Sequence, residues 1–305
     1  MTSLNTPWLK VRCEDVRDGA LFVPSESVDV AVFSPPYKKT KTKDGYSREL
    51  MLAVGEILGR VLKPGGMAFM NFGQLREDFD RPFEARQAIL FGSENLKGWQ
   101  TYIWAKSLAV PDRRKRILAL CEKAGGLLGH HSALPILTAL LKALKDACKE
   151  PGELRQIGHY KPLAHSKTIS NYGHEYVFTF HKEGPRYLDR LAMGVSFADE
   201  TNLKRGTRGK HGNVHCKGDI WYIRYETTGA VKKKQHAYEY PELLVEHCLR
   251  LAKCQPGDVV FDAFLGGGTT AAVAKRLGLN CYGIELDKTR IKHAKDSHRQ
   301  VKVVV

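Results

Sequence analysis

The stretch VVFDAFLGGGTTAAVAKRLG, Val259–Gly278, decides how the rest of the chain is read. A short apolar, β-branched run ends at Asp262, three glycines follow at Gly266, Gly267 and Gly268, and Thr269 then opens a helical pattern. Removing every Cβ from a strand-to-helix turn lets backbone approach a ligand and present N–H groups at a helix N-terminus. Roughly twenty residues on, the run NCYGIEL ends in Glu285, an acid placed to accept both hydroxyls of a ribose. No lysine stands where a phosphate-binding GKT or GKS loop would need one. This is the usual opening of a nucleotide-binding sheet, yet it lies close to the end of the chain.

Outward from it, strands and helices alternate. PELLVEHCLRLAK precedes the stretch as a helix, and NCYGIEL and DKTRIKHAKDSHRQV follow it as strand and helix. Toward the start, SVDVAVF (Ser27–Phe33) reads as a buried parallel strand that delivers the chain directly into Ser34-Pro35-Pro36-Tyr37, where two prolines stop it. From Ser47 a helical pattern runs to a Lys-Pro-Gly-Gly terminator, and MAFMNFG is the next strand. WQTYIWAK and EYVFTFHK read as further strands. Between them, about 112–150, two amphipathic patterns predict a helical insert, and about 184–235 is rich in Gly, Lys, Arg and His. The alternation predicts an α/β fold with a largely parallel sheet.

Lysine and arginine outnumber acids 48 to 33 in 305 residues, a formal charge of +15 that favours a polyanionic partner. Charge alone does not choose among DNA, RNA and an anionic membrane. The seven cysteines form no CxxC pair, so neither a zinc ribbon nor a redox pair is indicated, and they read as reduced thiols. The adjacent His130 and His131 point differently and suggest no metal site; none is expected elsewhere. No apolar h-region or membrane span is evident, so a cytoplasmic protein is expected.

SPPY, followed far along the chain by VVFDAFLGGGTT and YGIEL, resembles the amino-group DNA methyltransferases that use S-adenosylmethionine. The catalytic motif preceding the cofactor motif, with a target-recognition region between, resembles the β group. The resemblance implies a Rossmann-like methyltransferase sheet with helices on both faces, circularly permuted, with a helical insert and a basic target-recognition region. It covers roughly 1–110 and 165–300. The implied organisation is a catalytic half over 1–110, the insert over 111–164, a returning strand over 165–185, target recognition over 186–235, and a cofactor-binding half over 236–305. VRCEDV, near the start, would then supply the strand beside YGIEL.

By resemblance, Ser34, Pro35, Pro36 and Tyr37 are catalytic, and Phe33, Asp262, Phe264, Gly266, Gly268, Thr269 and Glu285 hold the cofactor. Asp15 resembles the acid that meets the cofactor adenine, with a helix cap as its structural alternative, and Tyr240 and Pro241 resemble the motif closing over the methionine end. Alanine at position 263 departs from the usual Asp-Pro-Phe. The chemistry suits the residues. An amine conjugated to a base is a poor nucleophile, and two acceptors, the Ser34 hydroxyl oxygen and the Pro35 carbonyl, can bias its nitrogen toward tetrahedral geometry. Tyr37 can stack on a flipped base. Lys38, Lys39, Lys41 and Lys43, beside that motif, and Arg205, Arg208, Lys210 and His211, in the target-recognition region, are candidate nucleic-acid contacts. Serine at the first position is associated with N4-cytosine methylation. N6-adenine, an RNA base amine, or a non-catalytic DNA-binding regulator are the alternatives; duplex DNA and a separate cognate restriction endonuclease are the expected partners.

Overall fold

The computed structural model describes residues 8–37, 45–73, 78, 80–112, 153–158, 173–184, 188–196, 212–224, 239–291 and 302–303. The stretch expected to form the helical insert lies almost wholly outside them. The chain divides into two compact units, one of Met1–Lys106 with Leu163–Val305, the other of Ser107–Pro162. In the second, β5 (Ser107–Asp112) and β6 (Glu153–Gly158) pair antiparallel.

The first unit is built on a nine-stranded sheet. Its strands are β1 (Leu9–Arg12), β2 (Val28–Phe33), β3 (Leu62–Phe72), β4 (Leu96–Ala105), β7 (His174–Lys182), β8 (Ile220–Tyr222), β9 (Val259–Asp262), β10 (Asn280–Ile284) and β11 (Lys302–Val303). Their order is β11-β1-β10-β9-β2-β3-β7-β4-β8. All neighbours are parallel except β7, which runs against both β3 and β4. The helices are α1 (Val16–Gly19), α2 (Arg48–Val61), α3 (Arg81–Phe91), α4 (Glu242–Leu251) and α5 (Thr269–Arg276). A further helical turn begins at 288–291.

β2 is buried along its whole length, which explains its mostly apolar sequence. Val28, Ala31 and Phe33 join the core that includes α2 and α3, while Val30 and Val32 join the core that includes α4 and α5. Asp29 is the polar exception. Its Oδ2 accepts a hydrogen bond from Lys63 Nζ at 2.8 Å and from the Val259 N–H at 2.9 Å, tying β2 to both neighbouring strands.

The expected strand beside YGIEL is present, with Leu9–Arg12 in parallel register with Cys281–Ile284. Two boundaries differ from expectation. Helix α2 ends at Val61, just before Lys-Pro-Gly-Gly as expected, but β3 already begins at Leu62, so these residues lie inside the strand as an irregularity where the β2–β3 register shifts between Val28 and Val30. Gly65, at φ +74°, permits it. Among the described residues of the run DIWYIRYE, Ile220–Tyr222 join the sheet.

α2 starts at Ser47, whose Oγ accepts the Leu50 N–H at 3.1 Å. Along its length α2 meets α3 backbone to backbone: a Cβ on Gly55 would lie 2.1 Å from the Ile89 carbonyl oxygen. Even one methyl therefore forces the helices apart. Gly55→Ala is expected to destabilise the protein by about 1–3 kcal/mol, the usual cost of overpacking, despite alanine's better helix propensity. A denaturant midpoint unchanged from wild type would refute this contact.

Candidate active site at the carboxyl edge of the sheet

β2 and β9 are adjacent and parallel, with Val30 opposite Val260 and Ala31 opposite Phe261. Their carboxyl ends therefore open on one edge of the sheet. SPPY leaves β2 there and the glycine loop leaves β9, and Phe33 and Phe264 meet with ring centroids 6.2 Å apart. Beneath this edge a small apolar cavity of about 10 Å³ lies among Val32, Phe69, Val177, Leu244 and Val245, with Asn71 from the β2 side and Tyr240 from the β9 side at its wall. Open α/β sheets bind ligands at such an edge.

On the β9 side, Gly268 takes the left-handed conformation at φ +90° as the residue preceding α5, where Thr269 begins the helix. Gly266, at φ +54°, donates its N–H to Glu285 Oε2 at 2.7 Å. The other Glu285 oxygen accepts the Asp287 N–H at 2.9 Å. Glu285 follows β10, so its carboxylate is held against the loop by the next strand. A Cβ on Gly267 would lie 1.8 Å from Glu239 Oε1. The Glu239 side chain thus packs directly on the bare backbone of Gly267, while the Glu285 carboxylate stands beside Gly266; a glycine loop at a helix start with a carboxylate at the next strand end fits an adenosyl group carrying a ribose diol.

Asp262 is fully buried, and its Oδ1 accepts the Phe264 N–H at 2.9 Å. Its Oδ2 accepts the Tyr240 hydroxyl at 3.0 Å, and that hydroxyl also bonds Thr270 Oγ1 at 2.6 Å. Burial outweighs these donors and pushes the Asp262 carboxyl up to about 6. Pro241 is the N-cap of α4 and so fixes Tyr240 at the helix entrance. Phe33 is wholly buried in the core beneath the edge. Asp15 caps α1, accepting the Arg17 N–H at 3.0 Å and two guanidinium hydrogen bonds from Arg17 at 2.7 Å. That pairing holds its carboxyl below the usual range.

On the β2 side, the Ser34 hydroxyl donates to Tyr37 Oη at 3.1 Å. Pro35 is buried and Pro36 half-buried. The Tyr37 ring stacks on Phe72 with centroids 4.6 Å apart and planes 17° from parallel. Its hydroxyl lies 3.0 Å from Glu175 Oε2 and 3.2 Å from Asn71 Oδ1. Lys106 pairs with the other Glu175 oxygen. Arg81, at the start of α3, donates to the Tyr37 carbonyl at 3.0 Å and pairs with Asp78. Burial, and then the Glu175 charge, push the Tyr37 phenol well above its ordinary value.

Asn71, Lys106, Arg81, Glu175 and Thr270 were not anticipated from the sequence. Asn71 alone carried a local signal, as a polar residue inside the otherwise apolar run MAFMNFG. Lys38, Lys39, Lys41 and Lys43, with Arg205, Arg208, Lys210 and His211, lie outside the described residues. Among the described residues no group of three or more His, Cys, Asp or Glu is arranged to hold a metal ion, and no helix is long and apolar enough to cross a membrane.

The family model described as a DNA methylase, N6_N4_Mtase, matches residues 28–296. The type II methyltransferase M.BglII of Bacillus subtilis is 26% identical over 289 residues, covering 92% of this chain and 66% of its own length. Of solved structures, the DNA modification methylase TTHA0409 of Thermus thermophilus, complexed with S-adenosyl-L-methionine, superposes with a TM-score of 0.54 at 18% identity, covering 97% of this chain and 99% of the other. The PvuII DNA methyltransferase, titled cytosine-N4-specific, gives 0.55 at 16% identity, covering 94% and 87%.

The raised Asp262 carboxyl makes stability pH-dependent with a definite sign. Between its ordinary value of 3.8 and about 6 the folded chain binds more protons at this site than the unfolded chain. Asp262 thus contributes stability below that window which is lost as pH rises through it, amounting to about 3 kcal/mol. Asp262→Asn should flatten the fall, and Tyr240→Phe, by removing a donor to the carboxylate, should move it to higher pH. Chemical denaturation at a series of pH values checks both; identical profiles for the three proteins would refute the assignment.

Proposed function

Because the chain belongs to the N6/N4 family of DNA methylases, we propose that it transfers a methyl group from S-adenosyl-L-methionine to the N4 amino group of a cytosine flipped out of duplex DNA. The cofactor is S-adenosyl-L-methionine, which supplies a sulfonium methyl as the electrophile. The observation that carries the reading is the junction of the two loops: parallel pairing of β2 with β9 opens SPPY and the glycine loop on one edge.

On the cofactor side, Glu285 accepts ribose hydroxyls at the end of β10, and Gly266, Gly268 and Thr269 present backbone at the start of α5. Asp262, Phe264, Tyr240 and Pro241 form the wall at the methionine end. Asp15, three residues beyond β1, stands at the neighbouring strand end, where the adenine edge is read. Phe33 supports both loops from below.

On the substrate side, Ser34 spends its own proton on Tyr37. The remaining Oγ lone pairs then accept an N–H from the base amine, together with the Pro35 carbonyl. These acceptors draw the nitrogen lone pair out of conjugation. Tyr37, backed by Phe72 and pinned by its hydroxyl, offers a stiff ring to the flipped base. Serine in place of an aspartate or asparagine favours cytosine N4. The excess of 48 basic over 33 acidic residues supports a DNA partner, with the SPPY-flanking lysines on phosphate and Arg205, Arg208, Lys210 and His211 in target recognition. A separate endonuclease of the same specificity is the natural companion.

The test is reaction of unmethylated genomic DNA with methyl-labelled cofactor, followed by nucleoside digestion and mass analysis. Label is expected in N4-methylcytosine; label in N6-methyladenine alone would overturn the cytosine assignment. Ser34→Ala should slow transfer about a hundredfold, in line with loss of one oriented polar group at a reacting centre. Glu285→Ala should weaken cofactor binding roughly ten- to a hundredfold, as loss of a charged acceptor implies. A Ser34→Ala protein as active as wild type would remove serine from the chemistry.

A further inference from the structure

A tyrosine that only stacks needs no hydroxyl, yet the Tyr37 hydroxyl has three partners. Ser34 donates to it, and Glu175 Oε2 and Asn71 Oδ1 stand ready to accept its single proton. Asn71 donates its own amide to the Tyr176 carbonyl at 3.2 Å, which turns its oxygen toward Tyr37. The donors therefore point one way, from Ser34 through Tyr37 to a carboxylate. Glu175 is buried, and Lys106 from the end of β4 supplies its counter-charge. Arg81 of α3 reaches the Tyr37 carbonyl rather than the phenol, and its charge is met by Asp78. On β7 the neighbouring His174 packs its ring against Tyr176.

We propose that Glu175 is the proton sink of the methyl transfer, reached from the substrate amine through Ser34 and Tyr37. The inference rests on the amino-methyltransferase reading above. In the step it describes, the amine lone pair forms the new N–C bond as the methyl C–S bond breaks, and that electron pair stays on sulfur as a neutral thioether. The nitrogen, now positively charged, gives an N–H proton to Ser34 Oγ. Ser34 passes its own proton to Tyr37 Oη, and Tyr37 passes its proton to the Glu175 carboxylate. One sulfonium cation and one carboxylate anion become a thioether and a carboxylic acid, so charge balances without an outside base. Glu175 acts through two other groups and is a positioning residue, whereas Ser34 touches the amine.

Single-turnover transfer to unmethylated genomic DNA, measured in H2O and in D2O, tests this. Wild type should be slower in D2O, because several protons move along the chain from Ser34 to Glu175. Glu175→Gln, which keeps an acceptor beside Tyr37, should be about a hundredfold slower, as loss of a general base commonly is. Glu175→Asp should recover much of the rate, and cofactor affinity by equilibrium dialysis should be unchanged in both. Should Glu175→Gln fail to fold, Tyr37→Phe interrupts the same path while keeping the ring, and a similar slowing is expected. On the protein without cofactor or DNA, the Tyr37 ring carbon bearing the hydroxyl, followed by NMR, should ionise at lower pH in Glu175→Gln. Variants that keep the wild-type rate and the D2O slowing would overturn the relay alone. A wild type that binds cofactor yet labels no base amine would overturn the relay and the underlying reading together.

Discussion

Everything at the candidate site depends on β2 lying parallel to β9. A parallel neighbour places both carboxyl ends on the same side, so the residues that follow each strand meet although more than two hundred positions separate them in sequence. The pairing is reinforced from below by Asp29, which accepts from the Val259 backbone at the start of β9 and from Lys63 on β3. An antiparallel arrangement would have sent SPPY and the glycine loop to opposite edges, and no choice of side chains could then have brought them together.

The edge is acidic within a basic protein. Asp262, Glu285 and Glu175 are all buried there, each with different company: a tyrosine hydroxyl and a backbone amide, two loop amides, and a lysine with a tyrosine. Water satisfies none of these carboxylates cheaply in such a setting, so each is held by aimed donors. Those donors also stiffen the two loops, because Gly266 and Tyr37 are themselves among them. Order at the site thus comes from the same contacts that settle its charges.

The sequence displayed the parts of this architecture that depend on local pattern. The mostly apolar run of β2, the triple glycine and the acid after β10 each have a short-range physical cause, and each stands where it was expected. Lys-Pro-Gly-Gly stops α2 as its residues suggest, but its second role as an irregular opening of β3 was not legible, because only the strand alongside reveals it. Glu175 and Lys106 were invisible for a different reason. They come from β7 and the end of β4, and it is the reversed direction of β7 that carries the start of EYVFTFHK to the active edge. Asp15 illustrates a third limit, since a cap and a ligand contact ask for the same residue type at the same place.

The pairing of β1 with β11 has a consequence for how such a chain can be arranged. Lys10 lies opposite Lys302, so the strands nearest the two ends of the sequence are side by side at the border of the sheet. A crossover connection of about a dozen residues, which a parallel pair requires, would join them, and a new opening ahead of Glu242 would start the chain at α4. The rearranged polypeptide would read glycine loop first and SPPY second while keeping every strand neighbour. Motif order along the chain would then change without moving either loop from the shared edge.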